Sequence, residues 1–186
     1  EILNGNTPTC ISPAFSKQDN TLTPLVLINF DHETNNIDHS INHELNHLYE
    51  LSAISSNKEG YLARCGFDLI EEHYNQSENP SRRKYEYFNE VINEKIAQEI
   101  SAKAHEIGYS LFADKTEKYT YQTSYEKMNF IVDGLFEKYK DIILESRKNN
   151  NFELLENELG TENIEALNNL FSIFQEHLGG LEFNRL

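Results

Sequence analysis

The residues best suited to chemistry form one short run, His43-Glu44-Leu45-Asn46-His47. On a helix, residues four apart lie on one face, about one turn from each other. The imidazoles of His43 and His47 could therefore hold one Zn²⁺ through bonds of about 2.0–2.1 Å. Glu44 lies beside them and could take a proton from a water molecule near the metal. The run thus predicts two metal ligands and a general base on one helix.

The sequence around this run predicts the elements that must position it. Residues 25–30 form a compact apolar segment with β-branched members, which is typical of a strand, and a short strand is expected around 9–11. Apolar residues then recur at helical spacing from 37 to 51. We therefore expect a strand, a polar turn and then the helix that carries the histidines.

Helical patterns dominate the rest of the chain. The longest runs from residue 82 to Gly108, where glycine is expected to end the helix. A linker is expected at 109–123, and Gly179-Gly180 is expected to end the last helix. The other predicted helices lie at 61–75, 124–147, 150–158 and 162–178.

A catalytic zinc usually has three protein ligands and one open position. A third histidine in the pattern H-E-x-x-H-x-x-G-x-x-H is excluded, because Glu50 and Ala53 occupy the required positions. A glutamate from a second helix remains. The helix at 82–108 offers Glu90 and Glu94, which lie four residues apart on one face.

The segment Asn89-Glu90-x-x-Asn93-Glu94 resembles the Asn-Glu-x-x-Ser/Thr-Asp/Glu signature of the gluzincins, the thermolysin-like zinc metallopeptidases. The resemblance implies that Glu90 is the third zinc ligand. It also implies that Glu94 hydrogen-bonds a zinc-binding histidine, which would fix the imidazole tautomer. The likeness covers residues 25–51 and 85–100. It departs from the family at Asn46, where a glycine often precedes the second histidine.

The resemblance also implies a fold. We expect one α+β domain over residues 1–186, mostly helical and zincin-like, with a small N-terminal sheet, the active-site helix and further C-terminal helices. Residues 1–108 would hold the strand, the histidine helix and the glutamate helix, and residues 109–186 would form a helical C-terminal part. The strand at 25–30 would pair with an extended peptide substrate.

A second register of the same helix is open. Glu94-Lys95-Ile96-Ala97-Gln98 resembles the Glu-x-x-Ala-Asp/Asn pattern of other gluzincins, including the lethal-factor-like type. Glu94 would then be the zinc ligand, and Tyr87 would stabilise the oxyanion of the transition state. We favour Glu90, because Glu94 then provides the acidic partner that Gln98 would not. His39, four residues before His43, is expected to be an ordinary first-turn histidine.

The function implied by the resemblance is hydrolysis of peptide bonds, with one Zn²⁺ per chain and a peptide or protein substrate. Glu44 would deprotonate the attacking water and later protonate the leaving nitrogen. The alternative is a non-catalytic protein that keeps the scaffold for metal binding, regulation or interaction. Glu44 argues against this alternative, because a binding module needs no general base.

The composition of the chain argues against some classes of binding partner. The 186 residues include 31 Asp and Glu against 16 Lys and Arg, and this net charge of −15 argues against nucleic acid and anionic membranes as partners. No apolar run approaches the ~18 residues of a transmembrane helix. Because the chain begins at Glu1, we expect a mature or trimmed form and favour a secreted or cell-surface bacterial protein over a cytoplasmic one. Cys10 and Cys65 are compatible with one disulfide or two thiols, and the oligomeric state is left open.

Overall fold

The computed structural model describes the backbone of residues 9–16, 21–28, 37–57, 59–73, 81–109 and 129–183. Side chains are described in residues 38–57, 59–73, 82–109 and 130–174. The elements in chain order are β1 (Thr9–Ser16), β2 (Thr21–Ile28), α1 (Ile37–Glu50), β3 (Leu51–Ser56), β4 (Gly60–Cys65), β5 (Asp68–His73), β6 (Ser81–Lys84), α2 (Glu86–Glu106), α3 (Asn129–Lys148), α4 (Glu153–Leu159) and α5 (Thr161–Phe183).

The structure is α+β and mostly helical, as predicted, and its described strands form two antiparallel sheets. Strands β1 and β2 form a two-stranded sheet in which Thr9 pairs with Ile28 and Ser16 with Thr21. This confirms the predicted order of strands followed by the histidine helix. The second sheet has the order β3-β4-β5-β6 and follows α1 in the chain.

The predicted helix at 61–75 is wrong, because this segment forms most of the hairpin β4–β5. Gly66 opens its two-residue loop with a φ of 59°, a conformation that glycine adopts readily. Ala63 and Cys65 are buried on alternate positions of β4, so the apolar residues follow a period of two. An added Cβ at Gly66 would lie 2.5 Å from Glu50 Oε2, so glycine also lets the loop approach α1 closely.

Two predicted helix boundaries also change, and a third agrees with the structure. Residues 82–84 belong to β6, and Tyr85, with a φ of 68°, turns the chain into α2. Helix α2 ends before Gly108, which has a φ of 80°, as predicted. Helix α5 continues past Gly179-Gly180 to Phe183, because a glycine weakens a helix by about 1 kcal/mol without forbidding it.

The remaining C-terminal predictions agree with the structure, although most of the predicted linker at 109–123 lies outside the described residues. Helices α3, α4 and α5 correspond to the predicted helices at 124–147, 150–158 and 162–178, with the start of α3 at Asn129. No helix in the described ranges combines the length and apolarity needed to cross a bilayer.

Helix α2 lies between the hydrophobic core and α1. Its apolar face, including Phe88 and Ile92, packs in a core shared with α3, α4 and α5, where Phe88 stacks on Phe171 with 6.4 Å between ring centroids. The polar residues Asn89, Asn93 and Glu94 on α2 are also buried. Because buried polar groups need hydrogen-bond partners, the polar residues on this second face of α2 are expected to bond to side chains of α1.

Candidate metal centre

Helices α1 and α2 face each other with matched rows of ionisable side chains. His39, His43 and His47 recur every four residues along α1, and Glu90 and Glu94 do so along α2. Since residues four apart share a helix face, each row points in one direction. The packing of the two helices brings both rows into contact.

The first cluster joins His43, His47 and Glu90. The Nε2 atoms of His43 and His47 lie 3.1 Å apart. Glu90 Oε2 lies 3.2 Å from His43 Nε2 and 3.3 Å from His47 Nε2. A tetrahedral zinc with bonds of about 2.0–2.1 Å would set its ligands about 3.3 Å apart. The three groups are therefore placed to hold a metal ion.

Glu94 contacts the opposite side of the His43 ring. Its Oε2 lies 2.9 Å from Nδ1 of His43, whereas Glu90 faces Nε2 of the same ring. If Nδ1–H donates to Glu94, the lone pair of Nε2 is directed towards His47 and Glu90. The geometry thus favours Glu90 as the ligand and Glu94 as its supporting carboxylate, an assignment that stays a prediction.

His39 extends the arrangement by one helical turn. Its Nε2 lies 3.1 and 3.0 Å from the two oxygens of Glu94, and the residue is only 1% exposed. The group of His39, His43 and Glu94 could also hold a cation by distance alone. The rings of His39 and His43 can instead act as hydrogen-bond donors to Glu94. Without such partners, its buried carboxylate would destabilise the fold. His39 was predicted to be an ordinary first-turn histidine, although its four-residue spacing from His43 was the available signal for a role in the site.

The carboxylates determine the protonation of the metal-free site. Burial opposes a charged His43, but hydrogen bonds and charges from Glu90 and Glu94 outweigh it and raise the pKa of His43 to about 10. Burial likewise opposes a charged Glu94, yet its bonds to His39 and His43 lower the pKa of Glu94 to about 2. The pKa of Glu90 is also lowered, against burial, by His47 and His43. At neutral pH the metal-free site therefore combines two charged carboxylates, Glu90 and Glu94, with a protonated His43.

We expect binding of a divalent metal ion at pH 7 to release about one proton per metal, because the metal must displace the proton of His43. Metal affinity should accordingly rise with pH up to about 10, the pKa of His43 in the metal-free protein. By the same linkage, the stability that His43 contributes to the metal-free protein is complete below pH 6.5 and is lost as the pH rises to about 10. Calorimetry in two buffers of different ionisation enthalpy measures the proton release, and its absence at pH 7 would contradict the assignment.

His47 is contacted by Cys65, the last residue of β4. Cys65 Sγ lies 3.5 Å from His47 Nδ1 and 3.4 Å from the His47 carbonyl oxygen. Burial raises the pKa of the Cys65 thiol, with Glu50, Glu90 and Asp68 adding to the effect, so the sulfur is a neutral contact. Cys65 is a free thiol, whereas the side chain of Cys10 lies outside the described residues.

A buried polar network joins the site to α3. Asn93 Nδ2 donates to the His43 carbonyl oxygen at 3.1 Å and lies 3.0 Å from His47 Nε2. Arg147 of α3 donates to Asn93 Oδ1 at 3.0 Å and pairs with Glu50 at the end of α1. Arg147 was not predicted as a site residue, because it belongs to no motif and lies far along the chain from the histidines.

The two predicted catalytic residues differ in their surroundings. Glu44 follows His43 on α1 and is 8% exposed, so its carboxyl group is sheltered from bulk water. Tyr87 is half-buried and packs against the hydrophobic core on α2. Within the described part of the chain, no hydrogen bond joins its hydroxyl to the first cluster. The oxyanion role of Tyr87 stays a prediction, and its packing favours a structural role.

Comparison of the chain with protein-family models, curated proteins and solved structures finds no significant match. Function must therefore be argued from the site itself.

Proposed function

We propose that this protein is a zinc-dependent peptidase of the gluzincin type. The observation that carries the proposal is the convergence of His43, His47 and Glu90, with separations of 3.1 to 3.3 Å between their ligand atoms. Two imidazoles and one carboxylate form the ligand set of several catalytic zinc sites. Placement of Glu94 on the other nitrogen of His43 supports the same reading, because ligating histidines commonly donate that N–H to a carboxylate.

The site also reaches solvent, as catalysis requires. The side chains of His43 and Glu90 are 15% and 22% exposed, whereas Glu94 beneath them is 4% exposed. A structural zinc site is closed by four protein ligands, while a catalytic one keeps a position for water or substrate. Three converging ligands at a partly open edge fit the second type.

Each protein group then has a defined task. A bound zinc ion would supply Lewis acidity, which polarises a carbonyl group and lowers the pKa of a nearby water. Glu44 would take a proton from the attacking water and transfer it to the leaving nitrogen. Glu94 would hold the His43 ring in one tautomer, and its own charge would be stabilised by His39.

For the substrate, we propose an extended peptide that pairs with β2. In the described residues β2 has one partner strand, β1, and both strands contact α1. A strand with an unpaired edge near the site can bind a peptide through main-chain hydrogen bonds. The zincin-like relation between this strand and α1 is part of the proposal, and the sheet β3–β6 would be an addition after the histidine helix.

We expect the purified protein to hold about one zinc per chain and to cleave members of a diverse peptide library. Cleavage should stop when a chelator removes the metal and return when zinc is added, because the metal supplies the Lewis acid. Metal analysis and mass spectrometry of the digested library measure both quantities. Zinc without any cleavage would favour the non-catalytic binding or regulatory protein, and absence of zinc would exclude both functions.

A further inference from the structure

Arg147 connects the C-terminal helices to both helices of the metal centre. It is 4% exposed and lies near the end of α3. Its Nε and Nη2 donate to the two carboxylate oxygens of Glu50, with 2.5 Å between Nη2 and Oε2. Glu50 is the last residue of α1, three positions after His47. This two-armed contact therefore anchors the turn of α1 that carries His47.

The same guanidinium group orients Asn93. Nη2 also donates to Asn93 Oδ1 at 3.0 Å, which leaves the NH₂ group of the amide facing α1. That NH₂ group donates to the carbonyl oxygen of His43 at 3.1 Å, which ties α2 to α1. It also lies 3.0 Å from His47 Nε2, whose lone pair a bound metal would take instead. Because Asn93 sits between Glu90 and Glu94 on α2, one arginine holds α1 and α2 in register at the level of the proposed ligands.

Stability alone is a weak reason for such a contact. A buried ion pair often contributes no more than well-packed apolar residues of the same volume, because both charges must be desolvated. The planar fork of arginine does provide fixed geometry, which a flexible apolar side chain would not. The contact is thus better suited to setting the positions of His47 and Asn93 than to stabilising the fold.

We propose that Arg147 is a positioning residue of the metal centre, which raises zinc affinity through Glu50 and Asn93 without touching the metal. The inference rests on the proposed function only in requiring that zinc binds at His43, His47 and Glu90. Peptidase activity is not needed to test it.

The test measures the zinc Kd by competition with a chromophoric chelator. Arg147→Met is expected to bind zinc 10- to 100-fold more weakly than wild type, the range typical of groups that support metal ligands. Lys95→Met is the matched control, since Lys95 also joins α2 to α3 through a 2.6 Å contact with Asp133, but at the surface. Its zinc Kd should equal that of the wild type.

A second variant separates positioning from folding. Arg147→Met alone leaves the buried carboxylate of Glu50 unpaired, whereas Glu50→Gln/Arg147→Met removes that charge as well. Denaturant unfolding of the metal-free protein should show recovered stability in the double variant, while its zinc Kd stays at least 10-fold above that of the wild type. Arg147→Lys keeps the charge without the fork and should show a smaller loss.

Wild-type zinc affinity in Glu50→Gln/Arg147→Met would overturn the inference. If that variant does not fold, wild-type zinc affinity in Arg147→Lys would overturn it. A wild-type protein that binds zinc but cleaves no peptide would overturn the peptidase proposal alone. A wild-type protein that binds no zinc would overturn both.

Discussion

Glu44→Gln is expected to lower kcat for peptide hydrolysis by about 10²- to 10⁴-fold, the usual contribution of a positioned general base. Glutamine has the shape of glutamate but cannot accept the proton of the attacking water. Since Glu44 is not among the proposed ligands, the variant should retain about one zinc per chain. Cleavage kinetics on a peptide identified in the library, together with metal analysis of the same preparation, measure both effects.

The matched control for this substitution is Glu106→Gln, at an exposed carboxylate on α2 that pairs with Lys103 at the surface. Its activity and zinc content should be unchanged. Full activity in Glu44→Gln would show that another group is the base. Loss of zinc together with activity would indicate that buried Glu44 supports the fold of α1, and the catalytic role would have to be reassigned.

Glu90→Gln is expected to weaken zinc binding by about 10³-fold. Apparent binding free energies of about 10–16 kcal/mol shared among three or four ligands leave about 3–5 kcal/mol for each. Glu94→Gln should cost only about 10- to 100-fold, because its side-chain carbonyl can still accept the N–H of His43. Zinc Kd values of the two variants, measured by chelator competition at one pH, decide between the two registers.

Glu99→Gln provides the control for these two variants. Glu99 lies further along α2 and forms a surface pair with Lys140, 2.7 Å away, so its loss should not change the zinc Kd. A larger effect at Glu94 than at Glu90 would reverse the assignment. Glu94 would then be the ligand, and the prediction that Tyr87 stabilises the oxyanion would regain support.

The two helices of the site were predictable because their signals are local. Spacings of four residues in His43 and His47, and again in Glu90 and Glu94, need only one helical turn to become a shared face. Apolar periodicity over the 14 residues of α1 adds a second local signal. The identity of the ionisable groups on each face therefore follows from the chain alone.

The sheet after α1 was not predictable in the same way. Short segments rich in apolar residues, such as 61–65 and 67–70, fit a strand or a helix, and periodicity over so few residues does not separate the two. Strand formation there depends on pairing with β3 and β6 and on the loop at Gly66, which are contacts between different segments. This sheet matters for the site because it brings Cys65 to His47.

Side-chain contacts between residues far apart in the sequence were not predictable either, because they depend on how different segments pack. Arg147 and Glu50 are separated by 97 positions, and no spacing rule links residues so far apart. The bond between His39 and Glu94 spans 55 positions and depends on how α1 packs against α2. Such contacts are set by the hydrophobic core that α2 shares with α3, α4 and α5, which orients each helix about its own axis.

The run from His43 to His47 by itself determined that two imidazoles and a neighbouring carboxylate share one helix, and the spacing in α2 determined that two glutamates share another. Only the tertiary structure decided which glutamate meets which ring nitrogen. A shift of α2 by one turn, about 5.4 Å, would exchange the positions of Glu90 and Glu94 without changing either local pattern. Packing between the helices places Glu90 at the two Nε2 atoms and Glu94 at Nδ1 of His43, because helix register is a property of the core and not of the motif.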